Sequence, residues 1–250
     1  MSVENTLLES YLKQLNLTTF LRHYQSFAED AAQSNQGYLR FLLALAEAEV
    51  KQRDLNSQRR RLQEARFPVH KTFQDFDFSA IPSLNQQRLL HLAQGDYIAK
   101  TEPIILLGNP GLGKTHTAIA LGIAATQQKK RVRFFNAAAL VNDLLATQQA
   151  QRLSPFLDTL LRYHLIILDE LGFIPFSPTG SHLLFQFCST LYERVALIVT
   201  TNLKFADWTQ LFGDERLTLA LIDRLTHRAH LIEFTGDSYR FRQRLAQEER

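Results

Sequence analysis

The sequence predicts an α/β fold in which a small all-helical domain precedes a five-stranded parallel sheet. Three observations predict it: five short apolar runs follow Thr101, helical stretches separate most of them, and the residues before about position 66 show only helical periodicity. Strands that alternate with helices are typical of a parallel sheet with crossover helices. We therefore expect a helical domain over residues 1–66 and an α/β domain over residues 67–250.

The first domain is expected to contain three helices. Apolar residues at the i, i+3, i+4 and i+7 spacing of an amphipathic helix indicate the first one. They are Leu8, Tyr11, Leu12 and Leu15. A second helix is predicted around a further apolar group, Phe20, Leu21, Tyr24 and Phe27. Because no Gly or Pro lies between Gly37 and Pro68, one long helix is predicted there.

A joint segment and then the strands follow. Prolines and closely spaced aromatic residues in "FPVHKTFQDFDFSAIPS", residues 67–83, predict a segment that packs onto the α/β domain. The strands are predicted at the apolar runs "PIILLG", "RVRFF", "HLIILD", "ALIVTT" and "HLIEF". In the stretch from Asn136 to His164, we expect Ser154-Pro155 to end one helix and start the next.

Composition excludes several classes of protein. The chain has 250 residues, of which 45% are hydrophobic, enough for one sizeable core and a small extra domain. A single cysteine, Cys188, excludes an internal disulfide framework and fits a reducing compartment. The N-terminal sequence lacks the apolar core of a signal peptide, and no apolar run approaches the roughly 18 residues of a membrane span. We expect a cytoplasmic protein that binds no membrane.

Positive charge is concentrated in one short segment. The net charge of the chain is +3, yet residues 51–71 contain seven Lys or Arg residues and only two acidic ones. A solvated helix face is one interpretation, and contact with the phosphate backbone of DNA is the other. The candidate DNA-contacting residues are Lys51, Arg53, Arg59, Arg60 and Arg61.

A phosphate-binding loop is predicted at "GNPGLGKT", residues 108–115, which matches G-x-x-x-x-G-K-[ST] between a predicted strand and a predicted helix. Glycines allow successive backbone N–H groups to surround phosphate oxygens, and the helix N-terminus adds partial positive charge. We expect Lys114 to bind the β- and γ-phosphates of ATP, and the Thr115 hydroxyl to bind Mg²⁺. The residues expected to contact the nucleotide are Gly108, Asn109, Pro110, Gly111, Leu112, Gly113, Lys114, Thr115 and His116.

Polar residues follow the next two buried strands. Asp169 and Glu170 come at the end of "HLIILD", and ligands of parallel sheets bind at the carboxyl ends of strands. We expect Asp169 to hold Mg²⁺ and Glu170 to activate water for attack on the γ-phosphate. Asn202, after "ALIVTT", is expected to orient that water or to contact the γ-phosphate, with a turn cap as the alternative. The predicted strand "RVRFFN" lies between the phosphate loop and the Asp169-Glu170 pair in sequence. We therefore expect an extra strand between these two motifs in the sheet.

These motifs resemble those of AAA+ ATPases of the initiator and helicase-loader group. In chain order they are "GNPGLGKT", "LIILDE", "TTN", "LIDRL" and "GDSYRFR". The helical start, the "EARFPVHKTFQDFDFS" joint and the end of the chain are similar to the IstB-like helper ATPases of bacterial insertion sequences, relatives of the helicase loader DnaC. The resemblance covers nearly the whole chain. It implies the spatial strand order 5-1-4-3-2, with the phosphate loop after strand 1 and Asp169 on strand 3.

The resemblance also implies roles for two arginines. Arg224 in "LIDRL" is similar to an arginine finger, which reaches the γ-phosphate bound by the neighbouring subunit. Arg240 in "GDSYR" is similar to the second sensor arginine, although the ten residues after it are fewer than the helical lid of most AAA+ proteins. An ordinary surface arginine is the alternative for both.

The function implied by the resemblance is ATP hydrolysis by a homo-oligomer on duplex DNA, promoted by ATP and DNA and associated with the bacterial nucleoid. Such a protein assists the transposase of the same element in target selection and activation. The helices of residues 136–164 are similar to those that lie against DNA in initiator-type relatives, whereas their pattern alone predicts an amphipathic pair covering the sheet. A DnaC-like loader, which binds a helicase and single-stranded DNA, is the alternative. A small-molecule kinase is less favoured, because no Arg-rich lid or acceptor pocket is evident.

Overall fold

The computed structural model describes residues 3–173, 175–236 and 238–239. The strands are β1 (Ile104–Gly108), β2 (Val132–Asn136), β3 (Leu165–Leu171), β4 (Ala196–Thr201) and β5 (His230–Phe234). The helices are α1 (Val3–Gln14), α2 (Thr18–Gln33), α3 (Tyr38–Ala65), α4 (Gln86–Leu92), α5 (Asp96–Ala99), α6 (Lys114–Gln127), α7 (Ala137–Gln149), α8 (Leu153–Leu160), α9 (Pro178–Leu191), α10 (Trp208–Phe212) and α11 (Glu215–Thr226). No helix in these ranges combines the length and the apolar character that crossing a membrane requires.

The first compact unit, Met1–Arg60, is helical. It contains α1, α2 and most of α3, which confirms the three predicted helices. The carboxylate of Glu49, only 5% exposed, accepts hydrogen bonds from the backbone N–H of Thr19 at 2.8 Å and from Nε of Arg53 at 2.6 Å. Arg53 also donates through Nη2 to the carbonyl oxygen of Asn16 at 2.8 Å. This ion pair between a buried carboxylate and an exposed guanidinium therefore joins α3 to the first turn of α2 and to the turn before it.

The second compact unit, Arg61–Arg250, surrounds a five-stranded sheet, so the boundary between the units falls inside α3. All strand pairs are parallel, and the order β2-β3-β4-β1-β5 confirms the predicted one. Because the strands are parallel, all their carboxyl ends lie at one edge of the sheet and all their amino ends at the other. We call these the carboxyl edge and the amino edge.

The core of this unit has two layers, because alternate strand residues point to opposite faces of the sheet. Ile105 and Val199 belong to the layer formed with α7, α9 and α11. Ile104 and Ile198 belong to the layer formed with α4 and α6. The joint packs on the second layer, as predicted, through Phe67, Phe73, Phe76 and Phe78.

The break between α7 and α8 differs from the prediction. α7 ends at Gln149 and α8 begins at Leu153, so Ser154-Pro155 lies in the first turn of α8 rather than between two helices. Proline is tolerated in a first turn, because the N–H it lacks would have no intrahelical partner there. The chain instead turns at Gln151, whose φ is 56°.

Candidate nucleotide site

The phosphate loop connects β1 to α6 at the carboxyl edge. β1 ends at Gly108 and α6 begins at Lys114, which confirms the predicted strand–loop–helix context. Gly113 precedes α6 with φ of 85°, a left-handed conformation that glycine adopts without steric cost. A Cβ atom there would lie 2.8 Å from Cε2 of Phe76. The close approach of this ring to the loop therefore also favours glycine at this position.

The ammonium group of Lys114 lies over the backbone of the loop. Nζ donates to the carbonyl oxygens of Gly108 at 2.6 Å and Asn109 at 2.8 Å. These bonds hold the positive charge against the loop, where it can balance phosphate oxygens bound by the loop N–H groups.

The loop forms one wall of a cleft of about 480 Å³, within the usual size range of small-molecule sites. The carboxyl ends of the strands form its floor through Glu170, Phe173, Thr200, Thr201 and Asn202. The joint forms the opposite wall through Val69, Lys71, Asp75, Phe76, Asp77, Ala80 and Ile81. The sequence predicted that the joint packs onto this domain but not that it lines the cleft. Its close aromatic spacing was the only signal.

His116 fastens the joint to α6. Its Nε2 lies 2.8 Å from the carbonyl oxygen of Thr72, which can only accept, so Nε2 carries the proton of this bond. The ring also packs edge-on against Phe76, with centroids 5.0 Å apart. Thr72 in turn donates to Asp75 through its backbone N–H and its hydroxyl. His116 lines the cleft, and its contact with the nucleotide stays a prediction.

Asp169 is a buried acceptor at the end of β3, only 4% exposed. Its Oδ1 accepts hydrogen bonds from the hydroxyls of Thr115 at 2.9 Å and Thr200 at 2.6 Å. Burial raises the pKa of this carboxyl, and the nearby charge of Glu170 raises it further, while the two hydroxyls and Lys114 act in the opposite direction. A cation at this position would offset the cost of the buried negative charge.

The donor set at Asp169 fits Mg²⁺. Oxygen atoms of Thr115 and Asp169 lie side by side, and Mg²⁺ prefers one or two such protein ligands together with water and phosphate oxygens. No cluster of three or more His, Cys, Asp or Glu side chains suited to a metal occurs in the described part of the chain. Two protein oxygens suit a cation that completes its coordination with water and phosphate oxygens.

Glu170 sits in an irregular part of β3. The register between β3 and β4 shifts between Leu168 and Leu171, and Glu170 has a left-handed φ of 60°. Its backbone N–H donates to the Thr200 hydroxyl at 2.9 Å, and Nδ2 of Asn136 donates to its Oε2 at 2.9 Å. Irregularities of this kind re-aim side chains beside active sites. Here Asp169 is buried while the adjacent Glu170 is exposed on the cleft.

Thr200 supports both acidic residues, a role that sequence reasoning missed. Its hydroxyl donates to Asp169 and accepts from the backbone of Glu170, and the residue is 1% exposed. A left-handed non-glycine residue costs on the order of 1 kcal/mol, so it requires such support. A hydroxyl at the end of an otherwise apolar strand was the available signal.

We expect Thr200→Val to destabilise the fold by about 1–3 kcal/mol, because it leaves the part-buried N–H of Glu170 without its acceptor and removes a hydrogen bond to the buried carboxylate of Asp169. The rate of ATP hydrolysis should fall as well, because Glu170 loses the support of its backbone, while KM for ATP changes little. Thr200→Ser keeps the hydroxyl and is the matched control. Thermal unfolding and steady-state ATPase assays measure the two effects. Equal rates for the valine and serine variants would contradict the positioning role.

Arg224 lies away from the cleft, near the amino edge. Its guanidinium carbon is 4.7 Å from the ring centroid of Phe185, and it borders a small cavity shared with Pro103, Cys188 and Val195. Pro103 and Val195 precede β1 and β4, whereas the phosphate loop follows β1. Five strand residues span roughly 15 Å, so the sheet separates Arg224 from the phosphate loop of its own chain.

Cys188 borders the same small cavity. Burial raises the pKa of its thiol to about 12, although the charge of Arg224 acts in the opposite direction. The high pKa makes this thiol unreactive.

The remaining predicted residues are spread over the chain. Asn202 is half-buried on the floor of the cleft, next to Thr201. The five candidate DNA-contacting cations all lie on α3, where Arg53 is engaged with Glu49 and Nε of Arg61 donates to the carbonyl oxygen of Thr126 at 3.1 Å. Arg240 lies outside the described residues.

Comparison with known proteins agrees with this geometry. The model of the IstB-like ATP-binding protein family matches residues 10–247. A protein of insertion sequence IS5376 of Geobacillus stearothermophilus, whose name assigns it ATP binding, is 34% identical over 243 residues, 97% of each chain. The similarly named protein of insertion sequence IS21 of Pseudomonas aeruginosa is 35% identical over 237 residues, 95% of this chain and 89% of its own.

Solved structures share the fold. DnaA of Aquifex aeolicus, bound to AMPPCP, superposes with a TM-score of 0.57 at 19% identity over 73% of this chain and 55% of its own. The DnaC helicase loader superposes with a TM-score of 0.51 at 21% identity over 70% of this chain and 99% of its own. The chain belongs to the IstB-like ATP-binding protein family, with an AAA+ fold, as the motifs predicted.

Proposed function

We propose that this protein is an ATPase that assembles as a homo-oligomer on duplex DNA and assists the transposase of its insertion sequence. One observation carries the hydrolytic part: the cleft brings a phosphate loop together with a buried carboxylate, Asp169, and an exposed one, Glu170. An exposed carboxylate beside the phosphate loop is the group that a general base for hydrolysis requires.

The side chains of the cleft divide the work of hydrolysis. Lys114 and the loop N–H groups hold the phosphates, and Glu170 takes a proton from the attacking water. Asn202 orients that water from the floor of the cleft. Thr115 and Asp169 would hold Mg²⁺, which supplies positive charge to the phosphate oxygens when bound. The joint, with Phe76 and Ile81 on its wall of the cleft, receives the remainder of the nucleotide.

Arg224 acts on the site of a neighbouring subunit. Its place near the amino edge puts it out of reach of the nucleotide of its own chain, so a role in hydrolysis requires a second copy. Hydrolysis then depends on assembly, and assembly on DNA would couple hydrolysis to the presence of a target. Arg240 is proposed as the second sensor arginine on its sequence motif alone.

The names of the relatives support the biological setting. Several belong to insertion sequences, and the homology extends over nearly the whole length of both chains. We therefore propose duplex DNA and the transposase of the same element as the partners, in the bacterial cytoplasm near the nucleoid. The alternative is a helicase loader. The structural similarity to DnaC does not favour it over this function, because at 21% identity the similarity concerns the fold alone.

The test combines DNA binding with one variant of the loop. We expect the wild type to bind duplex DNA more tightly with ATP than without it, because assembly multiplies the contacts along one duplex. Lys114→Ala should bind ATP about 10²-fold more weakly, since it loses charge-assisted bonds to phosphate, and ATP should no longer strengthen its DNA binding. Lys204→Ala, at an exposed lysine that lines neither the cleft nor the cavity beside Arg224, is the matched control. Preference for single-stranded DNA and a replicative helicase over duplex and transposase would instead establish the loader function.

A further inference from the structure

Three segments of the α/β unit bring an unusual amount of positive charge together. Residues 61–66, 129–133 and 162–164 contain seven Lys or Arg residues and one acidic residue, Glu64, while the net charge of the whole chain is only +3. We call these three segments the basic edge. Its cations are Arg61, Arg66, Lys129, Lys130, Arg131, Arg133 and Arg162. The remainder of the chain therefore carries a net negative charge.

Hydrogen bonds make the basic edge one continuous surface. Nε of Arg61, at the end of α3, donates to the carbonyl oxygen of Thr126 in the last turn of α6 at 3.1 Å. Nη1 of Arg133, on β2, donates to the carbonyl oxygen of Glu64 at 3.1 Å. These two bonds fix the end of α3 against α6 and against β2, which is one of the two edge strands of the sheet.

The third segment is joined to the second through the backbone. The N–H of Arg131 donates to Nδ1 of His164 at 3.0 Å, and the N–H of His164 donates to the carbonyl oxygen of Arg131 at 2.8 Å. Arg131 precedes β2 and His164 precedes β3, so both lie at the amino edge, away from the nucleotide cleft. The side chains of Arg131, Arg162 and His164 are exposed.

Neighbouring positive charges act on two titratable groups of this surface. Partial burial lowers the pKa of the exposed His164, and the charges of Arg131 and Lys130 lower it further. Burial likewise lowers the pKa of Arg133, and Arg66 contributes to that effect, while Tyr163 and Asp143 oppose it. Like charges held this close repel one another, and a polyanion that binds across them relieves the repulsion.

We propose that the basic edge of the second compact unit binds the phosphate backbone of duplex DNA. This contact is in addition to any that the rest of α3 makes. The inference rests on the proposed DNA function and names the surface that serves it. Arginine-rich surfaces match phosphate geometry, and three chain segments that meet at fixed positions can contact successive phosphates. Cations that only protect an outer strand from pairing with another chain are the competing explanation.

The test removes three cations of the basic edge that lie in two of its segments. Lys130→Gln, Arg131→Gln and Arg162→Gln are combined in one protein. The matched control combines Arg88→Gln, Lys204→Gln and Arg216→Gln, which remove the same charge from exposed positions on other elements of the same unit. Binding to fluorescein-labelled duplexes of unrelated sequences, and to one of their single strands, is measured by anisotropy over a range of salt concentrations. Thermal unfolding is the check of the fold.

We expect the slope of log affinity against log salt to become shallower by up to about 2.7 in the edge variant, at about 0.9 per phosphate contact, and to stay near the wild-type value in the control. Affinity should fall to the same extent on every sequence. A wild type that binds duplex with a steep slope, together with an edge variant that matches the control, would overturn the assignment of the surface but leave the DNA function in place. A wild type without salt-dependent duplex binding would contradict the DNA function itself. Loss of binding to single strands only would assign the edge to that ligand instead.

Discussion

Glu170→Gln is expected to bind ATP as the wild type does and to hydrolyse it about 10²–10⁴-fold more slowly, the range for loss of a general base. The amide preserves the shape of the side chain, and its oxygen can still accept the hydrogen bond from Nδ2 of Asn136. It cannot accept a proton from water at neutral pH. Binding and hydrolysis are therefore expected to separate in this variant, whereas Lys114→Ala impairs both.

Single-turnover assays with labelled ATP, alongside equilibrium nucleotide binding, measure the two properties. Glu233→Gln is the matched control, because it makes the same change at an exposed glutamate of β5 in the same unit. Turnover at the wild-type rate in Glu170→Gln, with ATP still bound, would show that another group activates the water. Loss of ATP binding would instead show that Glu170 contributes to the structure of the cleft.

The fold and the phosphate loop were predictable because they depend on local pattern. Apolar runs of β-branched residues gave all five strands, and the absence of Gly and Pro gave the long helix α3. The loop motif specifies its own context, since its glycines and Lys114 require a strand before them and a helix after them. The strand order came from the resemblance rather than from the pattern, because periodicity does not say which strands are neighbours.

The parts of the site that escaped prediction depend on contacts between distant segments. The left-handed backbone of Glu170 arises from the irregular register between β3 and β4, and Thr200 supports it across 30 residues of sequence. The joint lines the cleft because its aromatic residues pack on the core layer that carries α6. Similarly, a run of positive charge on α3 does not reveal that Arg53 binds a buried carboxylate, Glu49, on its own helix.

Arg53 also shows why the α3 cations are unequal candidates for DNA contact. Its guanidinium is bound to Glu49 and to the carbonyl oxygen of Asn16, so its replacement removes contacts that hold the helical unit together. A change in DNA binding after mutation of Arg53 would therefore combine two effects. The variants of the basic edge avoid this difficulty, because they change exposed or half-buried side chains at Lys130, Arg131 and Arg162.

Arg224→Ala is expected to bind ATP normally and to hydrolyse it about 10³-fold more slowly, a loss of about 4 kcal/mol of transition-state stabilisation. The guanidinium compensates charge that develops on the transferred phosphoryl group, and in a subunit taken alone it is too far from the phosphate loop to do so. Because Arg224 also packs on Phe185, thermal unfolding of the variant must be measured. Arg224→Lys, which keeps the charge but loses the planar guanidinium, separates the effect of charge from that of geometry.

Mixing two inactive proteins gives the decisive test of action between subunits. A subunit with Arg224→Ala still has Glu170, and a neighbour with Glu170→Gln still has Arg224. Where the two meet in the right order, one composite site contains both residues, so the mixture should hydrolyse ATP although each protein alone does not. The matched control mixes Arg224→Ala with Lys114→Ala and should also regain activity, because the nucleotide is then bound by the subunit that keeps Lys114. If the proteins assemble together and both mixtures stay inactive, Arg224 does not act on a neighbouring site, and its contact with Phe185 near the amino edge is structural.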